Sequence, residues 1–321
     1  MENINDQSGR KIDYLRVSIT DRCNLRCHYC MPELGIKEKS HDEILSYEEI
    51  IKIVKNAQKI GINKLRITGG EPLVRIGVET LIEQLSKLGL KDISMTTNGV
   101  LLAEKAEKLK KAGLDRVNIS LDTLKRDKFS KISRRDNFCE VIKGIEAAQK
   151  YGLEPVKLNV VVMKNINDDE ILDFVEFASN NNLIIRFIEY MPLGGETASE
   201  NFISSKDIKV QIKKKFTLEK ADAVGNGPAK YYSIQGGKAK LGFISALTNH
   251  FCADCNRLRL TADGRLKPCL ASDLELKIDK KMTDDLILES FKKALEIKPR
   301  AHNLNFKDNL KYKRTMSQIG G

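Results

Sequence analysis

Six of the seven cysteines fall into two tight sets, and their spacing is that of ligands. The first, Cys23-Asn24-Leu25-Arg26-Cys27-His28-Tyr29-Cys30, is a CxxxCxxC array. Three thiolates so close together can wrap one face of a cubane iron–sulfur cluster. A cluster with four cysteine ligands stores electrons, whereas one held by three keeps an open iron that can bind a small molecule. Structural zinc takes four ligands, commonly as CxxC pairs, which this spacing does not supply. The second set, Cys252, Cys255 and Cys269, is a C-x2-C-x13-C array and again offers three thiolates. His250 or Asp254 is near enough in sequence to complete a zinc site there, so zinc stays open at this set. Cys139 stands alone in a helical stretch and reads as a small packing residue.

These sets need a scaffold that is folded and kept reduced. The 321 residues carry 55 Lys+Arg against 44 Asp+Glu, a formal net charge of +11, with 41% hydrophobic residues. That balance excludes a disordered tail. No apolar run approaches the ~18 residues of a membrane span, and Met1-Glu2-Asn3-Ile4-Asn5-Asp6 lacks the layout of a signal peptide. Seven cysteines in so long a chain do not make a disulfide scaffold, so a reducing cytoplasm is expected. The positive charge favours an anionic partner, whether a phosphorylated metabolite, nucleic acid or a lipid surface. It is dispersed, without the basic block of a nucleic-acid arm.

The positioning elements are legible from about residue 13 to 189. Strands are expected at Leu15–Thr20, Lys64–Thr68, Asp92–Thr97, Asp115–Leu121, Pro155–Val162 and Ile184–Glu189. Between them lie amphipathic helical stretches. The helix after Ser46 has a capping box with Glu49, apolar residues at Ile50, Ile53, Val54, Ala57 and Ile60, and a stop at Gly61. Others are expected over 78–88, 101–112, 137–151 and 168–180. Six βα-type repeats imply a parallel sheet under helices, open or curled into a partial barrel. Right-handed crossovers place the strands' C-terminal ends on one rim. Thr68-Gly69-Gly70-Glu71-Pro72, Thr96-Thr97-Asn98-Gly99, and Ser120 with Asp122 collect at those ends, where parallel folds bind ligands. Residues 196–280 look loopier and contain the second cysteine set. A last helix, capped by Thr283, is expected to run to about Ile297, and the final twenty residues are polar and basic, with Lys307, Lys311, Lys313 and Arg314.

CxxxCxYC after a first strand, with Gly69-Gly70-Glu71-Pro72 after the second, resembles the radical S-adenosylmethionine superfamily. The second cysteine set and the terminal Gly320-Gly321 narrow the likeness to the family that cyclises GTP in the first step of molybdenum-cofactor (molybdopterin) biosynthesis. Matching pieces include Leu15-Arg16-Val17-Ser18-Ile19-Thr20-Asp21-Arg22-Cys23, Asn118-Ile119-Ser120-Leu121-Asp122 and Arg186-Phe187-Ile188-Glu189-Tyr190-Met191.

The resemblance implies an α/β fold, an incomplete (βα)6 TIM-like barrel of parallel strands over 1–195, with a C-terminal cysteine-containing α+β extension over 196–321. It implies two [4Fe–4S] clusters, one on Cys23, Cys27 and Cys30 and an auxiliary one on Cys252, Cys255 and Cys269. S-adenosyl-L-methionine, consumed as cosubstrate, would meet Tyr29, Gly70, Ser120 and Met191. GTP would meet Arg16, Arg66, Thr96, Lys157, Arg257, Leu258 by its backbone, and Arg259. With no GxxxxGK[ST] loop in the chain, and Gly225-Asn226-Gly227-Pro228-Ala229-Lys230 not one, side chains must hold the triphosphate. Guanidinium forks suit phosphate oxygens.

Arg257, Arg259, Gly320 and Gly321 are the residues implied in catalysis. The implied lyase reaction lets a 5′-deoxyadenosyl radical take the ribose C3′ hydrogen of GTP. The C3′ radical then adds to guanine C8, and reduction and protonation give 3′,8-cyclo-7,8-dihydro-GTP. Implied partners are a one-electron donor protein, a downstream cyclic pyranopterin monophosphate synthase and, as an assembly, a homodimer; membrane and nucleic acid are not among them. Two other readings stay open here: a radical S-adenosylmethionine enzyme that modifies peptides, and a non-catalytic zinc-stabilised protein that binds nucleic acid.

Overall fold

The computed structural model describes residues 5–191, 200–237, 239–304 and 313–320. The expected division at 195/196, Lys307, Lys311 and the terminal Gly321 lie outside them. The first two-thirds alternate as expected: β1 (Tyr14–Ser18), α1 (Tyr47–Lys59), β2 (Lys64–Thr68), α2 (Val78–Ser86), β3 (Asp92–Thr97), α3 (Leu102–Lys111), β4 (Arg116–Ser120), α4 (Arg126–Ser133), α5 (Phe138–Lys150), β5 (Lys157–Val162), α6 (Ile171–Asn181) and β6 (Ile184–Glu189). The six strands pair in chain order, all parallel. The cap of α1 is built as its sequence requires. Ser46 Oγ accepts from the Glu49 amide at 3.2 Å, and the Glu49 carboxylate accepts from the Ser46 amide at 2.6 Å. Helix α4 was not anticipated, because only Phe129, Ile132 and Ser133 of its eight residues are buried and no side chain caps it.

The C-terminal region is more regular than its texture suggests. It contains α7 (Ser205–Lys213), β7 (Leu218–Ala221), β8 (Lys230–Ile234), β9 (Lys240–Ile244), β10 (Arg257–Leu260), β11 (Arg265–Lys267), β12 (Leu276–Lys277), α8 (Asp284–Glu296) and α9 (Met316–Ile319). These strands extend the first sheet at both edges. β10 runs parallel to β1, with Arg259 opposite Arg16, and β9 runs parallel to β6, with Gly242 opposite Arg186. Antiparallel β11–β12 and β8–β7 continue outward. Among the described residues this makes one twelve-stranded sheet, in the order β12-β11-β10-β1-β2-β3-β4-β5-β6-β9-β8-β7.

Strand alternation separates its two faces. Leu15, Val17, Leu65, Ile67, Val117, Leu158, Ile185 and Leu258 point to the helices and join Ile53, Leu81 and Ala106 in the main hydrophobic core. The other face carries Arg16, Arg66, Ser94, Arg116, Lys157, Arg186 and Arg259 at the intervening positions. A parallel sheet covered on both faces is normally apolar on both. Here one face is a buried basic wall: Arg66, Arg116, Lys157, Arg186 and Arg259 are each at most 8% exposed.

Candidate active site

The register of β1 and β10 sets the two cysteine sets at opposite ends of that wall. Cys23, Cys27 and Cys30 follow Ser18, beyond the C-terminal end of β1. Cys252 and Cys255 precede Arg257, which pairs with Tyr14 at the N-terminal end. Cys269 lies two residues past Lys267 on antiparallel β11, which returns to that same end. Four or five strand residues at about 3.3 Å each separate the sets by roughly 15 Å.

The loop of the first set is held by backbone as much as by side chains. Gly70 packs so closely on it that a Cβ there would lie 2.5 Å from the Arg22 carbonyl oxygen and 2.7 Å from that of Asp21. The Glu71 carboxylate, fully buried, accepts from the Asn98 amide at 2.6 Å, Thr97 Oγ1 at 2.7 Å and the Leu73 amide at 3.0 Å. Burial pushes its carboxyl up to about 7 against those bonds. Asn98 in turn donates to Asn24 Oδ1 at 2.7 Å. Tyr29 donates to Asp122 Oδ2 at 2.6 Å, which places it beside the end of β4, where Ser120 sits. Met191 follows β6 at the same rim and packs with Leu247, Leu304 and Met316. Tyr29, Gly70, Ser120 and Met191 therefore come from the ends of β1, β2, β4 and β6 to one rim.

The thiols fit clusters. All six are free and partly buried. Burial raises Cys23 to about 11 and Cys30 to about 12, so each needs a metal to ionise it at neutral pH. Cys255 is pulled the other way. Burial would raise it, but Arg257 and Lys298 outweigh that and bring it to about 7, with Lys298 Nζ 3.6 Å from its sulfur. Lys298 also donates to the carbonyls of Arg257 and Pro268, at 2.8 and 2.6 Å. Among the described residues His250, Cys252 and His302 form the one group of three or more whose ligand atoms all lie within 4.8 Å of one another. Asp254 is not in that group, and His302 was not suspected from the sequence.

Between the sets, the basic wall is short of partners. Arg66 Nε donates to the Tyr14 hydroxyl, and its Nη1 lies 3.4 Å from Thr96 Oγ1. Arg116 pairs with Asp92 at 2.5 Å. Arg116 Nη1, Arg186 Nε and the side-chain oxygens of Asn118 and Asn159 are buried with no hydrogen-bond partner among the described residues. Burial depresses Arg186 and Arg259 to about 10 and Lys157 to about 6, with the neighbouring guanidinium groups adding to the shift. Removing a charge from water costs several kcal/mol per ion, a cost that an anion placed among these groups would offset. Arg257 stands at the edge of this region over the Phe251 ring. Leu258 turns its side chain to the helix-side core, which leaves its backbone alone to meet a ligand. Arg116 and Arg186 were not singled out from sequence, although each shares the strand parity of Arg16 and Arg66.

The C-terminal segment enters this interior. Arg314 anchors it on Asp263 and Glu275, at 3.0 and 2.8 Å. The Ser317 amide reaches the Cys30 sulfur. The Gly320 carbonyl then accepts from Arg259 Nη1 at 2.8 Å and Arg16 Nη2 at 3.3 Å. Gly320 has φ +73° and a Cβ would collide with Thr68 Oγ1, so no side chain fits there.

A sequence model of the Radical SAM superfamily matches residues 17–178, and one described as Molybdenum Cofactor Synthesis C matches residues 183–304. A curated relative from Petrotoga mobilis, named GTP 3′,8-cyclase, is 52% identical over 98% of this chain and 99% of its own. Relatives of the same name from Moorella thermoacetica and Thermodesulfovibrio yellowstonii are 48% and 50% identical over the same shares. Among solved structures, Streptococcus suis SuiB bound to S-adenosylmethionine matches with a TM-score of 0.61 at 15% identity, covering 86% of this chain but only 65% of SuiB. Native anSMEcpe with bound AdoMet matches at 0.58 and 20% identity, over 87% of this chain and 81% of that one. At those identities the likeness is one of fold.

Proposed function

The chain belongs to the GTP 3′,8-cyclase family of the radical S-adenosylmethionine superfamily, and from that premise we propose how its own residues perform the reaction. The reaction is the first step of molybdenum-cofactor biosynthesis and uses S-adenosylmethionine and iron–sulfur clusters. The peptide-modifying and zinc-stabilised alternatives give way to it, since relatives of one name match over 99% of their length. In our reading Cys23, Cys27 and Cys30 hold one [4Fe–4S] cluster and Cys252, Cys255 and Cys269 the other. Bound there, the clusters and S-adenosylmethionine supply the radical chemistry by which ribose C3′ loses a hydrogen atom and bonds to guanine C8.

The rest is positioning by side chains. Tyr29, Gly70, Ser120 and Met191 seat S-adenosylmethionine at the rim, with Tyr29 fixed by Asp122. Arg16, Arg66, Thr96, Lys157, Arg257, Arg259 and the Leu258 backbone hold GTP between the two cysteine sets. Guanidinium groups grip phosphate oxygens in a water-poor interior, where such contacts are strongest. Closing a ring within one molecule is chiefly a matter of holding C3′ against C8. The Gly320 carbonyl, with Gly321 beyond it, positions Arg16 and Arg259. A separate one-electron donor protein, a downstream cyclic pyranopterin monophosphate synthase and a cytoplasmic location complete the proposal. Among the described residues no helix is long and apolar enough to cross a membrane.

The observation that carries this reading is the buried basic wall between two three-thiol sets. Arg16→Ala tests it, with exposed Arg126→Ala as control. Arg16→Ala should keep its iron and bind GTP at least tenfold more weakly by equilibrium dialysis, while Arg126→Ala behaves as wild type. GTP binding unaffected by Arg16→Ala would remove the wall from substrate binding.

A further inference from the structure

The glycine-rich turn after β7 is not a phosphate loop of the known strand–loop–helix kind, yet the structure lays it directly on the basic wall. The Val224 carbonyl accepts from Lys157 Nζ, and from the Tyr231 hydroxyl at 3.2 Å. Asn226 Nδ2 donates to Asp92 Oδ2 at 3.2 Å, the same oxygen that Arg116 Nη2 holds at 2.5 Å. A Cβ at Gly225 would stand 2.9 Å from Lys157 Nζ and 3.5 Å from Arg116 Nη2, and one at Gly227 would stand 3.6 Å from Arg186 Nη1. The turn also lines a cavity of about 380 Å³ that Phe251, Asp254, Asn256 and Arg257 line, beside the second cysteine set. The same turn thus meets that cavity and three buried basic side chains, Arg116, Lys157 and Arg186. All three have capacity to spare: Arg116 Nη1 and Arg186 Nε are buried without partners among the described residues, and a lysine nitrogen, neutral or charged, has at least two N–H donors.

We propose that the Val224–Pro228 turn is a phosphate gate: its Val224 carbonyl holds on Lys157 the place that a phosphate oxygen of the nucleotide takes when bound. The proposal rests on reading the basic wall as the triphosphate site. A carbonyl is a weaker partner for a buried lysine than a phosphate anion, which also favours its charged form, so a polyphosphate chain displaces it and the turn shifts toward the cavity. The Lys157–Val224 and Asn226–Asp92 hydrogen bonds are the contacts that must break. Gly225, at φ +81°, is required twice, for its left-handed backbone and for the space its missing side chain leaves to Lys157. The ligand class is the polyphosphate and not the base. Inorganic tripolyphosphate should therefore act as GTP does, and guanosine should not.

Amide hydrogen exchange over residues 222–231 of the cluster-loaded protein reads the gate directly, with GTP, inorganic tripolyphosphate or guanosine added. GTP and tripolyphosphate should each change exchange in the turn, and guanosine should leave it unchanged. Gly225→Ala, compared with Gly236→Ala, separates the gate from backbone strain, because Gly236 has φ +72° but open space around it. Gly225→Ala crowds Lys157 in the resting arrangement that competes with phosphate, so it should bind both GTP and tripolyphosphate several-fold more tightly, with iron content and S-adenosylmethionine binding kept, while Gly236→Ala binds them as wild type. If wild type binds GTP but the turn's exchange does not respond and the two variants bind alike, the gate is wrong and the triphosphate site stands. If wild type binds neither GTP nor tripolyphosphate, the site and the gate fall together.

Discussion

Lys157 is the residue at which burial and charge are most sharply opposed. Its side chain is almost wholly buried, and burial, then Arg186, Arg116 and Arg66, depress it to about 6. In the free protein at pH 7–8 it is therefore mostly neutral. An arriving triphosphate reverses the balance and raises it. Binding should then take up about one proton between pH 6 and the bound value, and GTP affinity should fall as pH rises across that window. Calorimetry in two buffers of different ionisation enthalpy measures this uptake, and Lys157→Met should abolish it. The cysteines and the arginines within the second set were legible from spacing. Arg116 and Arg186 were not, because a single basic residue in a strand looks like surface until the strand's facing is known. Gly320 shows the same limit: a terminal glycine pair could be read as a frayed end, but the structure gives its carbonyl two guanidinium donors. Deleting Gly320 and Gly321 should leave about eight irons per chain and lower kcat at least tenfold. Full turnover by the truncated protein would show that Arg16 and Arg259 need no tail.

At the scale of elements, the strand-end motifs act by letting backbone approach backbone. Gly70→Ala forces a methyl onto the Arg22 and Asp21 carbonyls. Overpacking of this kind costs about 1–3 kcal/mol. The variant should lose iron from the first set, with S-adenosylmethionine binding, and retain the second cluster, so that iron analysis falls from about eight toward four. An unchanged iron count with full S-adenosylmethionine binding would separate the motif from the cysteine loop. The cap of α1 makes a contrasting case. Ser46→Ala should cost about 1 kcal/mol in urea unfolding, with turnover unchanged, because its bonds serve only the helix. Strands and helices with full apolar periodicity were readable nearly to their ends. β10 was not, because Arg257-Leu258-Arg259-Leu260 alternates charge with leucine over four residues and lies among turns. Its charges stand on the same face as Arg16 and Arg66, and that placement hides it from a hydrophobic pattern.

Over the whole molecule, the second half completes the first. β10 and β9 cover the two edges of the β1–β6 sheet, and the second cysteine set arrives with β10. Sequence reading placed a new region after residue 195. It missed that this region continues the same sheet, because pairing between residues more than 240 apart leaves no local trace. A fragment of residues 1–195 should expose both edge strands and aggregate. A soluble, monomeric fragment by size-exclusion chromatography would show instead that the first half is closed on its own.

Whether two clusters and one basic wall cyclise GTP is decided by anaerobic reconstitution. Iron and sulfide would be counted, and the protein then incubated with S-adenosylmethionine, a strong reductant and either GTP or ATP. About eight irons per chain are expected, and 5′-deoxyadenosine with a C3′–C8-cyclised nucleotide formed with GTP and not with ATP. Zinc in place of iron, or product formation indifferent to GTP, would contradict that expectation.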